Sequence, residues 1–142
     1  MSLSNDPYDL DRFVRAQVAD YDRALSELRA GKKRSHWMWY IFPQIEGLGQ
    51  SPISRRYSIK SAAEARAYLD HPVLGPRLRE SAAAVNGIAG RSALEIFGSP
   101  DDMKLRSCAT LFASVSDDAV FEQVLEKYFN GQHDQETLRR LQ

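Results

Sequence analysis

Between Leu10 and Leu28 apolar side chains recur at helical spacing: Leu10, Phe13, Val14, Val18, Tyr21, Leu25 and Leu28, with Arg and Asp filling the other side. Such a stripe runs down one face of a long helix and must be covered by other apolar surface, which commits the chain to helix-on-helix packing. Asp6-Pro7-Tyr8-Asp9 predicts the start of this helix, with Asp6 as the N-cap and Pro7 at the first helical position. Gly31 stands where a left-handed residue closes a helix.

The same punctuation recurs downstream. Ser61-Ala62-Ala63-Glu64 has capping-box spacing before Ala65, Tyr68 and Leu69. His71-Pro72 interrupts that helix, because the residue before proline is driven out of helical geometry. Leu74, Leu78, Ala82 and Val85 mark the next helix, and Ser92 to Glu95 repeats the capping spacing before Ile96-Phe97-Gly98. Ser99-Pro100-Asp101-Asp102 opens a helix through Leu105 to Phe112, Ser116-Asp117-Asp118 opens another through Phe121 and Tyr128, and Asp134 to Leu141 reads as a polar surface helix. The expected fold is mainly α: one compact domain over 1–142, about six helices, a tail at 1–6, an aromatic and basic loop at 32–60, and a polar C-terminal helix within 132–142. Within the loop, Trp37 to Phe42 and Tyr57 to Ile59 suit short strands. If the first is extended, His36, Met38, Tyr40 and Phe42 face one way and Trp37, Trp39 and Ile41 the other.

Nineteen Lys plus Arg balance nineteen Asp plus Glu, so no global field attracts bulk nucleic acid, and any basic recognition is local. The single Cys108 excludes an internal disulfide, no secretory leader precedes Asp6, and no apolar stretch approaches a bilayer's span of ~20 residues. A cytoplasmic location without membrane insertion is expected. His36, His71 and His133 have no metal-ligand spacing, so neither a metal nor a cofactor is expected.

Chemistry concentrates in Ser35 to Gln44, which holds both tryptophans, followed by a Gly47-Leu48-Gly49 turn. Large rings bury well, and one reading makes Trp37, Trp39, Ile41 and Phe42 core. The other makes Trp37 or Trp39, with Phe42, a stacking wall for a planar ligand, with Lys33, Arg34, His36 and Gln44 as polar contacts. Ser51, Arg55, Arg56 and Tyr57 form a cluster able to hold an anion through guanidinium forks and hydroxyls. Glu64 and Asp101 are the candidate acids, and Lys104 and Ser107, three apart on one helix, form a polar stripe beside Asp101.

The decapeptide, with Glu64-Ala65, Tyr68-Leu69, His71-Pro72-Val73-Leu74-Gly75, Arg77-Leu78, Ile96-Phe97-Gly98, Asp101 to Leu105 and Thr110-Leu111-Phe112, resembles the bacterial family called domain of unknown function 1810 over residues 8–130. That resemblance implies a mainly helical single domain and no assigned activity. Some members carry the label calpastatin, but calpastatins are disordered inhibitors, and this chain has the periodicity of a folded domain. In motif order the chain is also similar to NADAR and YbiA-like proteins, which act on N-glycosidic bonds. Phe42-Pro43, Glu64 with Tyr68, and Met103 with Lys104 carry that similarity.

The expected function is therefore a pocket for a small anionic, nucleotide-like ligand, built from the Lys33 to Tyr57 loop and closed by the helices starting near Ser61 and Pro100. Its enzymatic version is hydrolysis of an N-glycosidic bond, Glu64 or Asp101 assisting departure of the base. The alternative is a non-catalytic interaction protein whose aromatic cluster anchors a partner or a second copy of the chain.

Overall fold

Nine helices build the described part of the chain, residues 6–142, in a computed structural model. They are α1 (Asp11–Arg29), α2 (Met38–Ile41), α3 (Pro52–Arg56), α4 (Ala62–Asp70), α5 (Leu74–Asn86), α6 (Ala93–Phe97), α7 (Asp101–Val115), α8 (Ala119–Phe129) and α9 (Gln135–Leu141). The six longer ones, α1, α4, α5, α7, α8 and α9, coincide with the strongest periodicity and capping signals; α2, α3 and α6 are single turns that raise the count. Most of the expected N-terminal tail lies outside the described residues.

Helix α1 starts later than Asp6-Pro7 predicts. The Asp6 carboxylate accepts from the amides of Leu10 (2.8 Å) and Asp11 (3.0 Å), but Asp9 takes a φ of 51°, which breaks the helical path and leaves Pro7 to Leu10 as a turn. Val18 is also off the buried stripe, 76% exposed. Gln17 takes the inward place: its Nε2 donates to the Tyr40 carbonyl at 2.8 Å and to the Tyr68 hydroxyl at 3.2 Å, while its Oε1 accepts from Arg77. Gly31, at φ 78°, ends the helix as expected.

The core is a sequence of ring contacts. Phe13 on α1 meets Tyr68 on α4 edge-on at 5.1 Å, Tyr68 meets Phe112 on α7 at 5.4 Å, and Phe112 meets Phe121 on α8 at 5.7 Å. A second sequence, Trp37 to Phe42 to Phe97, ties α2 to α6. Helix α7 lies between α4, α8 and α9, and α5 packs on α1, α4 and α8, so the layers form one domain. Between α4 and α5, His71 leaves the helix as expected, and its Nδ1 accepts from the amides of Val73 and Leu74, capping α5. No helix among the described residues is long and apolar enough to cross a membrane.

The expected strands are not formed. Met38 to Ile41 is a helical turn, and backbone pairing is limited to one parallel bridge between Ile45 and Ile59, with Ile59 N donating to the Gln44 carbonyl and Glu46 N to the Ile59 carbonyl, both at 2.8 Å. Trp37, Met38, Ile41 and Phe42 all go inward because a helical turn, unlike a strand, groups such neighbours on one side.

Candidate functional site

Arg12, on the first turn of α1, is buried, and all five of its N–H donors are used. Nε donates to the Arg56 carbonyl (2.8 Å), Nη1 to the carbonyls of Tyr8 (2.7 Å) and Asp9 (2.9 Å), and Nη2 to the Ser58 carbonyl and Glu64 Oε2 (both 2.8 Å). One guanidinium thus holds the N-terminal turn, the end of α3, the following strand-like segment and the start of α4 together. Glu64 is 1% exposed, and its other oxygen accepts from the Lys60 amide at 3.0 Å. The capping box expected here is half formed: Ser61 Oγ accepts from Glu64 N, but the carboxylate serves Lys60 and Arg12.

Above this buried pair opens a cleft of about 480 Å³, lined by Pro7, Tyr8, Asp9, Arg12, Arg15, Arg55, Arg56, Lys60, Ser61 and Glu64. Arg15 is paired with Asp11 at 3.0 Å, and Arg12 with Glu64. Arg55, Arg56 and Lys60 have no carboxylate partner among the described residues. Lys60 Nζ is held by neutral oxygens instead, Ser58 Oγ at 2.9 Å and the carbonyls of Ser58 and Arg55 at 3.4 Å, and the Arg56 guanidinium lies over the Tyr57 ring at 5.5 Å. Ser51 caps α3 by accepting from Ser54 N, and Arg55 and Arg56 at the end of that helix line the cleft.

The aromatic segment has a different fate. Trp37 is fully buried, and its Nε1 donates to Glu27 Oε1 at 2.9 Å. Glu27 also accepts from the amides of Arg34 and Ser35 and from Ser35 Oγ; burial works against its ionisation, yet these donors bring its carboxyl down to about 2. Phe42 is buried as well, so neither ring offers a face to a ligand, and a stacking wall made of Trp37 and Phe42 is not formed. Trp39 is half-buried, with Lys104 Nζ 5.6 Å from its ring. Asp101 is held between two lysines, Lys33 at 3.0 Å and Lys104 at 3.5 Å, with Lys33 also 5.1 Å from the Trp37 ring.

Trp39, Phe42, Gln44, Tyr57 and Lys104, all candidate ligand contacts, do converge, but around a space of only about 10 Å³, roughly the room one water needs. Arg34 and His36 are exposed outside it. Ser107 belongs elsewhere: it is buried, donating to the Met103 carbonyl and to Asp134 Oδ2, the cap of α9. The expected pocket is therefore divided. Its basic half and the Ser61 end of α4 line the open cleft, while its tryptophans and the Asp101 end of α7 line a filled region.

Sequence reasoning missed Arg12, Glu27, Tyr8, Arg15 and Lys60. Glu64 carries the one usable sign, a lone acid among Ala62, Ala63 and Ala65, since an acid in a small apolar run needs a buried cation for company. Arg12 looks like any polar-face arginine until the N-terminal turn folds over it.

A family described as "Protein of unknown function (DUF1810)" matches the chain over residues 7–141. Among solved structures, the crystal structure of the conserved hypothetical protein Rv1873 from Mycobacterium tuberculosis is 53% identical and superposes with a TM-score of 0.95, covering 96% of this chain and 98% of that one. No curated protein matches.

Proposed function

Starting from the chain's membership of the DUF1810 family, we propose that the protein binds a small anionic ligand in the cleft between the N-terminal turn, α3 and α4. The observation that carries this is the set of three cations, Arg55, Arg56 and Lys60, that line an open concavity, none of them paired with a carboxylate among the described residues and only Asp9 beside them on the lining. A cleft lined by one sign of charge focuses the field and concentrates counter-ions, and guanidinium forks suit phosphate or carboxylate oxygens. The volume falls in the range of small-molecule sites, ~300–1,000 Å³.

Glu64, the buried acid of the cleft, has both oxygens engaged by Arg12 and Lys60, and Asp101 is held by two lysines in the filled region, so neither is placed as a proton donor for N-glycosidic cleavage. The aromatic segment likewise gives little support to an interface anchor, since Trp37 and Phe42 are buried.

The test is a thermal-shift panel of nucleotides, sugar phosphates and carboxylates. A ligand at a hundred times its dissociation constant stabilises by ~2.7 kcal/mol, which raises the melting temperature measurably. A shift seen with the native protein and lost in Arg55→Ala supports the cleft. No shift across the panel, or one that survives the substitution unchanged, overturns it.

A further inference from the structure

We propose that the cleft selects a terminal phosphate carried as its dianion, a phosphomonoester, over carboxylates and phosphodiesters; this rests on the reading of the cleft as an anion site. Arg12 is cancelled by Glu64 and Arg15 by Asp11. What remains on the lining is Arg55, Arg56 and Lys60 against the single carboxylate of Asp9, a surplus of two positive charges. A carboxylate or a phosphodiester brings one negative charge and leaves one cation uncompensated. A terminal phosphate near neutrality brings close to two, with three equivalent oxygens for the three donors.

The forms of the three donors agree with this. Arg55 and Arg56 carry planar forks that engage two oxygens at once, whereas Lys60 is a point charge suited to the third. Its ammonium is already oriented by the Ser58 hydroxyl at 2.9 Å and by two carbonyls, so little freedom is lost on binding. The chain as a whole is neutral, so this surplus is a property of the cleft and not of a general basic surface that would take any polyanion.

The inference ties affinity to the ligand's own second ionisation, near pH ~6. The cleft lining contains no histidine, so its charge does not follow that of the ligand between pH 5 and 7.5 through such a group. The experiment is an NMR titration of ¹⁵N-labelled protein in phosphate-free buffer with methyl phosphate, dimethyl phosphate and acetate. At pH 7.5 methyl phosphate should bind at least about tenfold more tightly than either monoanion, and at pH 5 its affinity should fall by about tenfold, following the loss of dianion. Lys60→Met, which lowers the surplus to one, should collapse the preference for methyl over dimethyl phosphate, and Lys60→Arg should keep it. Equal binding of the three probes, or a methyl phosphate affinity that ignores pH, overturns the selectivity while leaving an anion site in place. No shift of cleft resonances with any probe overturns the anion site itself.

Discussion

The cleft over Arg12 and the tryptophan cluster around Asp101 are built from the same kinds of residue, and they end in opposite states. In the cluster each carboxylate is engaged: Glu27 gathers donors from Ser35, Arg34 and Trp37, and Asp101 is clasped by Lys33 and Lys104, while the space beside Trp39 and Lys104 has room for about one water. In the cleft one arginine is completely satisfied below, and three cations above it have no carboxylate partner among the described residues. A concentration of aromatic and charged residues can thus mark where a fold uses its polar groups on itself. Unmatched charge in an open hollow is the better sign of a site.

The strongest way to break this contrast is through Arg12. Arg12→Ala leaves the Glu64 carboxylate buried without its cation and frees four carbonyls, so a loss of about 3–5 kcal/mol is expected in urea unfolding, with anion binding abolished. A loss under about 1 kcal/mol would mean that Arg12 does not assemble the cleft. Trp37→Ala should cost a comparable amount, about 3–5 kcal/mol, because the ring is fully buried, while Trp39→Ala should cost roughly half of that. If Trp39→Ala proved the more damaging, the assignment of Trp37 to the core would fail.

These effects also show which parts of the structure could be read in the residues. Helices α1, α4, α5, α7, α8 and α9 announce themselves because capping and period 3.6 are local, and Ser92 with Glu95 forms the complete capping box that its spacing predicts. Arg55 and Arg56 stand out in the sequence as a basic pair, and both line the cleft. The aromatic segment misleads in its conformation, because ring-rich runs suit strands and helical turns alike, and tertiary contacts with Glu27 and Phe97 decide for the turn. Arg12 escapes notice since the Arg56 and Ser58 carbonyls and the Glu64 carboxylate that receive it lie far along the chain, which no spacing rule encodes.

An intermediate effect sharpens the comparison by pH. Burial disfavours the charged form of Glu27, but its four donors win and lower its carboxyl from the ordinary 4.5 to about 2. The folded value lies below the unfolded one, so the stabilisation is complete above pH 4.5 and is lost as pH falls towards 2. Glu27→Gln should lower stability at neutral pH by about 1.5–3 kcal/mol and flatten this acid limb of the stability curve. Equal slopes for the two proteins between those pH values would show that Glu27 is not the group holding the tryptophan segment.

The smallest expected effect on stability is the most informative about function. Arg56 is exposed and its guanidinium has no carboxylate partner, only the Tyr57 ring 5.5 Å away, so Arg56→Ala should change unfolding free energy by no more than about 0.5 kcal/mol. The Arg56 backbone carbonyl that receives Arg12 is untouched by the substitution, and the cleft floor should stay assembled. Removing one of three unmatched cations nonetheless takes away a charge-assisted contact, so affinity for a phosphorylated ligand should fall about tenfold or more in a titration. A variant that loses stability and affinity together would place Arg56 in the framework, as Arg12 is. One that loses neither would remove it from the site, and the separation of the two quantities is what distinguishes a residue held for a ligand from one consumed by the fold.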